Sequence, residues 1–497
     1  MTTHEGTFCL VLHSHLPWLP HHGTWPVGEE WLYQAWAHSY LPIAGLLRRF
    51  ADEGRRDVLT LGVTPVLAAQ LDDPYALRAV HEWLGTWQLR AQEAGTLWRG
   101  RERLADLAAA EYRAATSALE EFETRWRHGF SPLLRSLVDS DVIELLGGPL
   151  THPFQPLLDE RVRAFALRSG LADTALRVGR CPEGIWAPEC GYAPGMERGY
   201  AAAGVRRFLV DGPSLRGDTA SARTVGESDV VCFGRDLDVT YRVWSPKAGY
   251  PGHPAYRDFH TWAHEVGLKP ARVTGKHVPP RHKEPYDPAL AADTVRTHVK
   301  DFVDTVVARL RELRARTGRE SLVVAAYDTE LFGHWWHEGP VWLDGVLRAL
   351  PEAGVRVTTL RGAIEAGHVG GPVQLPASSW GSGKDWRVWD GEQVADMVGA
   401  NTELQRRLLA LPVARGHRDV VADQAVVEAM LALSSDWAFM VTKDSAADYA
   451  RRRAREHTER FDELAALHRA GDPAAAERAA ASRARTGAFG RLDARDL

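Results

Sequence analysis

The chain alternates two kinds of segment, and this alternation limits its fold more than any other feature. Short apolar, β-prone runs recur at residues 7–12, 58–63, 142–146, 184–186, 207–210, 321–327 and 355–360. Helical patterns separate several of them, the clearest being Val295, Val299, Phe302, Val303, Val306, Val307, Leu310 and Leu313 at spacings of three and four. Continuously apolar runs of this length suit strands buried on both faces, and strand–helix alternation builds a parallel α/β sheet from them. A closed barrel and a doubly wound open sheet both satisfy the pattern, although no glycine-rich phosphate loop follows any run.

The alternation is interrupted twice. Residues 72–140 are rich in Leu, Ala, Glu, Arg and Trp at helical spacing without a strand run, which predicts a helical insertion. After Pro376, segments 392–411, 420–433 and 445–469 read as successive helices. A catalytic α/β domain over 1–375 and a helical C-terminal domain over 376–497, contributing to the substrate cleft, are therefore expected. At 497 residues the chain is long enough to need more than one core. The Ala- and Arg-rich segment 472–497 reads as mobile or weakly helical.

Charge and cysteine usage exclude several classes. A net charge of −5 leaves no footprint for nucleic acid, and the basic run from Arg451 to Arg455 reads as a solvated helix face. Cys9, Cys181, Cys190 and Cys232 show no CxxC spacing, which argues against a zinc knuckle or a disulfide scaffold. No basic leader precedes the first apolar run, and no run approaches the roughly 18 apolar residues that span a membrane. A monomeric, cytoplasmic protein without membrane contact is expected.

Chemistry concentrates where the runs end. Glu189 closes the run in GIWAPECGYAPG, amid Trp, Pro, Cys and Tyr, and Asp328 closes the run before LFGHWWH. Two strand-end carboxylates among aromatics suggest a glycosidase pair, one as nucleophile and one as acid/base. His13 and His15, two apart on a strand, project to the same side and could grip sugar hydroxyls or a metal. Zinc would want further ligands, for which His334 or Asp211 could serve, giving a zinc-dependent deacetylase or mannosidase-type barrel as a competing class. Eighteen tryptophans, Trp18, Trp186 and Trp380 among them, offer flat faces for stacking on sugar rings.

Taken in order, HSHLPW (13–18), GGPLTHPFQPLL (147–158), GIWAPECGYAPG (184–195), AAYDTELFGHWW (325–336) and SSWGSGKDW (378–386) resemble the five conserved regions of glycoside hydrolase family 57. YRVWSPKAGYPG (241–252) and SSDWAFMV (434–441) extend the resemblance, and the chain length with its helical C-terminus is similar to that of the family's α-glucan branching members. The resemblance implies a (β/α)7 barrel acting on α-1,4-glucans without metal or organic cofactor, through a retaining double displacement that forms α-1,6 branches. It implies Glu189 as nucleophile, Asp328 as acid/base, and His13, His15 and His152 at subsite −1. Arg257, Gly275, Trp380 and Asp436 match positions that contact the glucan, and Trp18 and Trp186 lie within the matching motifs. Ser445 stands where the branching members have Gln, and residues 210–232 contain no Tyr, Trp or Phe where those members carry a loop aromatic. That second departure favours water as acceptor and makes an α-amylase-like hydrolase the alternative.

Overall fold

The computed structural model describes residues 4–497 except 246, 247, 414, 415, 488, 490 and 491. β1 (Gly6–Ser14) is buried along its whole length, as a strand covered on both faces must be. β8 (Leu322–Asp328) pairs with one edge of β1, and the opposite edge is shared by β9 (Val355–Thr358) at its start and β2 (Leu59–Val63) at its end, all parallel. β3 (Ile143–Gly147), β4 (Gly184–Ile185), β5 (Arg207–Asp211) and β7 (Val231–Arg235) continue the parallel order from β2. Just past β7, the Asp236 amide donates to the Val324 carbonyl of β8 at 2.8 Å, which brings together the two ends of the seven-strand run β7, β5, β4, β3, β2, β1 and β8, with β9 beside the start of β1. The parallel α/β barrel expected from the chain is thus present, with its strand C-termini gathered at one end.

β6 (Ala222–Val225) and β10 (Val369–Val373) were not expected as strands. β6 runs antiparallel to β7, and β10 pairs with β6 through a register shift at Gly370 and Val373. Both are short, and β10 is partly exposed, so neither has the continuous apolar character by which the barrel strands stand out.

Between β2 and β3 lie helices Pro74–Leu97, Glu102–Glu121 and Ser131–Asp139, which form the insertion. At the C-terminus, helices Ala395–Leu409, Val420–Ala432, Ser435–Thr442, Ala447–Ala470 and Ala475–Thr486 follow one another. The last, in a segment of weak helical signal, is anchored by a buried polar network: Ser482 and Thr486 donate to Glu428, whose other oxygen sits 2.7 Å from His457 Nδ1. A buried carboxylate needs such partners. No helix among the described residues is long and apolar enough to cross a membrane.

The C-terminal helices are laced onto the barrel where its strands end. Ser435 N donates to the His152 carbonyl and Thr151 Oγ1 to the Met430 carbonyl, beside a bridge from Pro153 to Ser434. Trp18 belongs to this packing. It is 1% exposed, its indole N–H donates to the Arg485 carbonyl at 3.0 Å, and it joins the apolar cluster of the C-terminal helices. Trp18, expected among the substrate-binding residues, is buried here in the packing between the barrel and the C-terminal helices, with its indole N–H already bonded. Trp18→Ala is expected to cost about 3–5 kcal/mol, a large-to-small change in a core, read as a lowered urea midpoint.

Candidate active site

Glu189 reaches the barrel mouth through a strained turn. In the 3-10 turn Pro188–Cys190 that follows β4, Glu189 has φ +62° and ψ +18°, and Cys190 has φ +49°. Left-handed backbone at a non-glycine residue costs on the order of 1–3 kcal/mol, so the surroundings must hold it. They do so by hydrogen bonds. The Trp380 amide donates to the Glu189 carbonyl at 2.8 Å, the Trp380 indole N–H to Glu189 Oε2 at 2.8 Å, and the Ser435 hydroxyl to Oε1 at 2.8 Å.

From Ser435 the hydrogen bonds continue in a direction that fixes the histidine tautomers. The Ser435 hydroxyl has one proton, given to Glu189, so His152 Nδ1, 2.9 Å away, donates to Ser435 Oγ. His152 Nε2 is then an acceptor and takes the proton of His13 Nε2, 3.1 Å away. Burial, with neighbouring histidines, holds both rings well below their ordinary pKa, as this neutral pairing requires. His13 also stacks on Trp186, with ring centroids 4.4 Å apart and planes 11° apart, and Trp186 meets Trp380 edge-on at 5.0 Å.

His15 is the member whose charge is favoured. Burial works against its charge, but Asp436 Oδ2 lies 2.9 Å from Nε2 and raises the ring above its usual value; Nδ1 reaches Thr64 Oγ1 at 3.0 Å. Asp436, despite burial, is held down to about 2 by His15 and by the Ser434 hydroxyl. The His13 and His15 rings lie on the same side, 5.9 Å apart and 19° from parallel, as two-residue spacing on a strand predicts.

Asp328 stands opposite His13 in the β1–β8 register. Its carboxylate has no hydrogen-bond partner among the described residues, in contrast to the two donors on Glu189. Burial raises it to about 6, opposed by the charges of Arg235 and His15. Burial also raises Glu189 to about 7, against its two hydrogen bonds, and the charges of Asp436 and Asp328 add to the rise.

Three groups here lay outside the sequence reading. Arg235 ends β7, 5% exposed, with Nε 2.8 Å from Asp211 Oδ1 and its guanidinium 5.1 Å from the Trp380 ring. Asp211, a candidate zinc ligand by its strand-end position, is taken by this pair and by Lys384, 2.6 Å away. Glu330, raised to about 8 by burial and the Asp328 charge, accepts from the His15 amide and the Tyr40 hydroxyl. Ser435 lies in SSDWAFMV and Arg235 closes an apolar run, but neither signal by itself places its residue at the barrel mouth.

Among the described residues one set of donors could hold a metal: His15, His152 and Asp436 offer ligand atoms within 4.8 Å of one another. The His15 and His152 rings are stacked, 3.7 Å between centroids, so their in-plane lone pairs run side by side and do not converge, and all four ring nitrogens already have partners. The arrangement does not suit tetrahedral ligation. His334, the other possible ligand, lines a separate cleft.

Arg257 and Gly275 are not joined to this network. Arg257 pairs with Glu111 of the insertion at 2.6 Å and lines an open cleft of about 610 Å³ with Trp262, Lys269 and Trp335; Gly275 makes backbone turns with Val273 and Val278.

The family model for glycosyl hydrolase family 57 matches residues 9–375, and a model described as the C-terminal region of 1,4-α-glucan branching enzyme matches residues 397–496. The chain belongs to glycoside hydrolase family 57. It is 58% identical to a probable 1,4-α-glucan branching enzyme of Mycobacterium tuberculosis, over 99% of this chain and 98% of that one. Among solved structures it is similar to a branching enzyme of this family from Thermococcus kodakaraensis, solved with glucose, at TM-score 0.92 and 30% identity over 98% of this chain and 96% of that one. The α-amylase AmyC of Thermotoga maritima follows at TM-score 0.85 and 25% identity, covering 99% and 98%.

Proposed function

We propose that the protein is a 1,4-α-glucan branching enzyme in which Glu189 is the nucleophile and Asp328 the acid/base. The observation that carries this reading is the convergence of the two carboxylates on one histidine cluster: Asp328 faces His13 in register, and the chain from His13 through His152 and Ser435 ends on Glu189.

The donors sort the roles. Burial lifts Glu189 (to about 7) further than Asp328 (to about 6), so the pair's single proton rests on Glu189 before substrate binds; the Trp380 and Ser435 donors stabilise Glu189 once it ionises, and Asp328, with no donor on its carboxylate among the described residues, takes the proton in the reacting complex. Glu189 attacks the anomeric carbon, and Asp328 protonates the glycosidic oxygen of the departing chain. A covalent β-glycosyl ester results. Ionised Asp328 then takes the proton of a C6 hydroxyl of a second chain, whose oxygen displaces Glu189 to give an α-1,6 branch with retention. His13, whose Nδ1 has no partner among the described residues, presents a hydroxyl-binding acceptor held in place by His152 and the His15–Asp436 pair, and the Trp186 and Trp380 rings supply the apolar wall.

The productive state holds one proton on the pair. With the two groups titrating near about 6 and about 7, kcat/KM should follow a narrow bell between those values. Ser435→Ala removes a charge-assisted bond of about 1.5 kcal/mol and should lower kcat/KM about tenfold. Because that bond favours ionised Glu189, its loss should also move the optimum to higher pH, as a pH–rate profile would show.

A hydrolase is the second reading, favoured by the likeness to AmyC and by the absence of an aromatic residue between 210 and 232. Proton NMR of amylose treated with the enzyme separates the two: new α-1,6 anomeric signals mark branching, and reducing ends alone mark hydrolysis. Turnover abolished by a chelator would contradict both.

A further inference from the structure

A branching reaction needs a second glucan chain held beside the glycosyl ester, and the helix that leaves β7 carries an aromatic face suited to it. In Leu237–Val243, Tyr241 lies one helical turn before Trp244, the C-cap residue, so the two fall on one side. They are 40% and 45% exposed, unusual for aromatics of this size.

Each is tied to one catalytic element. The Tyr241 ring lies 5.8 Å from Lys384 Nζ, which pairs with Asp211 and donates to the Trp380 carbonyl, in the loop whose indole N–H holds Glu189. Trp244 stacks with Trp335, at 5.9 Å between centroids and 25° between planes. Trp335 belongs to the turn after β8, where its amide donates to the carbonyl of Glu330, two residues past Asp328. That turn is fixed by Gly333, at φ +106°, where a Cβ would fall 1.7 Å from the His38 carbonyl. Trp335 continues into the 610 Å³ cleft, whose walls offer the carboxylates of Glu30 and Glu111, Arg257, Lys269 and the ring of Trp262. Rings followed by hydrogen-bonding side chains match a chain of pyranoses, with apolar ring faces and hydroxyl edges.

We infer that the Trp244–Trp335 stack, with Tyr241, is the acceptor platform, and that it takes an α-1,4-glucan chain and leads its C6 hydroxyl toward Asp328. This rests on the branching reading above. The occupant is a glucan because the exposed rings are tied at one end, through Lys384, to the loop that holds Glu189 and at the other, through Trp335, to the turn that follows Asp328, so a sugar chain lying on them is directed to both carboxylates.

The test compares full-length wild type, Trp244→Ala and Trp244→Phe on amylose, scoring α-1,6 linkages by NMR against new reducing ends. Trp244→Ala should lower the ratio of branching to hydrolysis about five- to tenfold, the equivalent of losing one stacking contact, and Trp244→Phe should restore most of it. Quenching of tryptophan fluorescence by maltoheptaose should weaken in the Ala variant by a similar factor. A Trp244→Ala ratio equal to that of a branching wild type overturns the platform and leaves the Glu189–Asp328 reading intact. A wild type that releases reducing ends without branches overturns the platform together with the branching reading.

Discussion

Glu189→Gln is expected to reduce branching and hydrolysis together, by about ten-thousand-fold or more, as loss of a covalent nucleophile does. The amide keeps the shape and the hydrogen-bond places. Its oxygen can accept from the Trp380 indole, and its NH2 can donate to Ser435 Oγ, whose proton is free to turn away. What disappears is the negative charge that attacks carbon one. The same substitution carries a stability signature of opposite sense. Burial raises Glu189 from 4.5 to about 7, so the folded protein holds that proton more tightly than the unfolded chain. Wild-type stability therefore falls as pH rises from about 4.5 through about 7, whereas the Gln variant has no such proton to lose. Melting curves across this window should show the wild type losing ground to Glu189→Gln. A variant that keeps near-normal turnover, or melting curves that move in parallel, would contradict the assignment of a buried, charge-bearing nucleophile.

Asp328→Asn should slow both chemical steps by about 10²–10⁴-fold, because one group serves as acid and then as base. The two steps can be told apart. An α-glucosyl or maltosyl fluoride needs no acid to release its leaving group, so the variant should form the glycosyl enzyme from it and then stall. Azide, which needs no base, should attack the stalled ester and release the α-glycosyl azide. Rate recovery by azide without that product, or recovery from unactivated amylose, would place the acid/base elsewhere. Asp328 is suited to this double role because no hydrogen bond among the described residues pins its ionised form; burial and the charges of Arg235, His15 and Asp436 set it.

Much of this arrangement could be read from the chain because barrel chemistry sits at strand ends. β1, β2, β3, β4, β5 and β8 are short, largely apolar and buried runs, and the residues that close or follow β1, β4 and β8 include His13, His15, Glu189 and Asp328. The two-residue spacing of His13 and His15 gave their common side without any knowledge of the fold. What stayed hidden was set by contacts distant along the chain. Trp18 lies three residues past His15, yet it packs against helices more than 380 residues later, and nothing local distinguishes a docking tryptophan from a sugar-stacking one. Arg235 became visible only when β5 and β7 paired and brought it against Asp211 and Trp380. β7 itself was missed because β6 precedes it by a short turn, so strand and helix do not alternate there. The tautomer chain from His13 to Glu189 needs Ser435, from a C-terminal helix that no local pattern places at the barrel mouth.

The central claim is that Glu189 forms a covalent bond to the sugar. The measurement that tests it most directly is mass spectrometry of proteolysed enzyme trapped with a fluorinated α-maltosyl fluoride, whose intermediate turns over slowly. The glycosyl mass should be found on the peptide spanning residues 184–195, with fragmentation placing it on Glu189. Label on another residue, or turnover without any covalent adduct and with inversion at the anomeric carbon, would contradict the account.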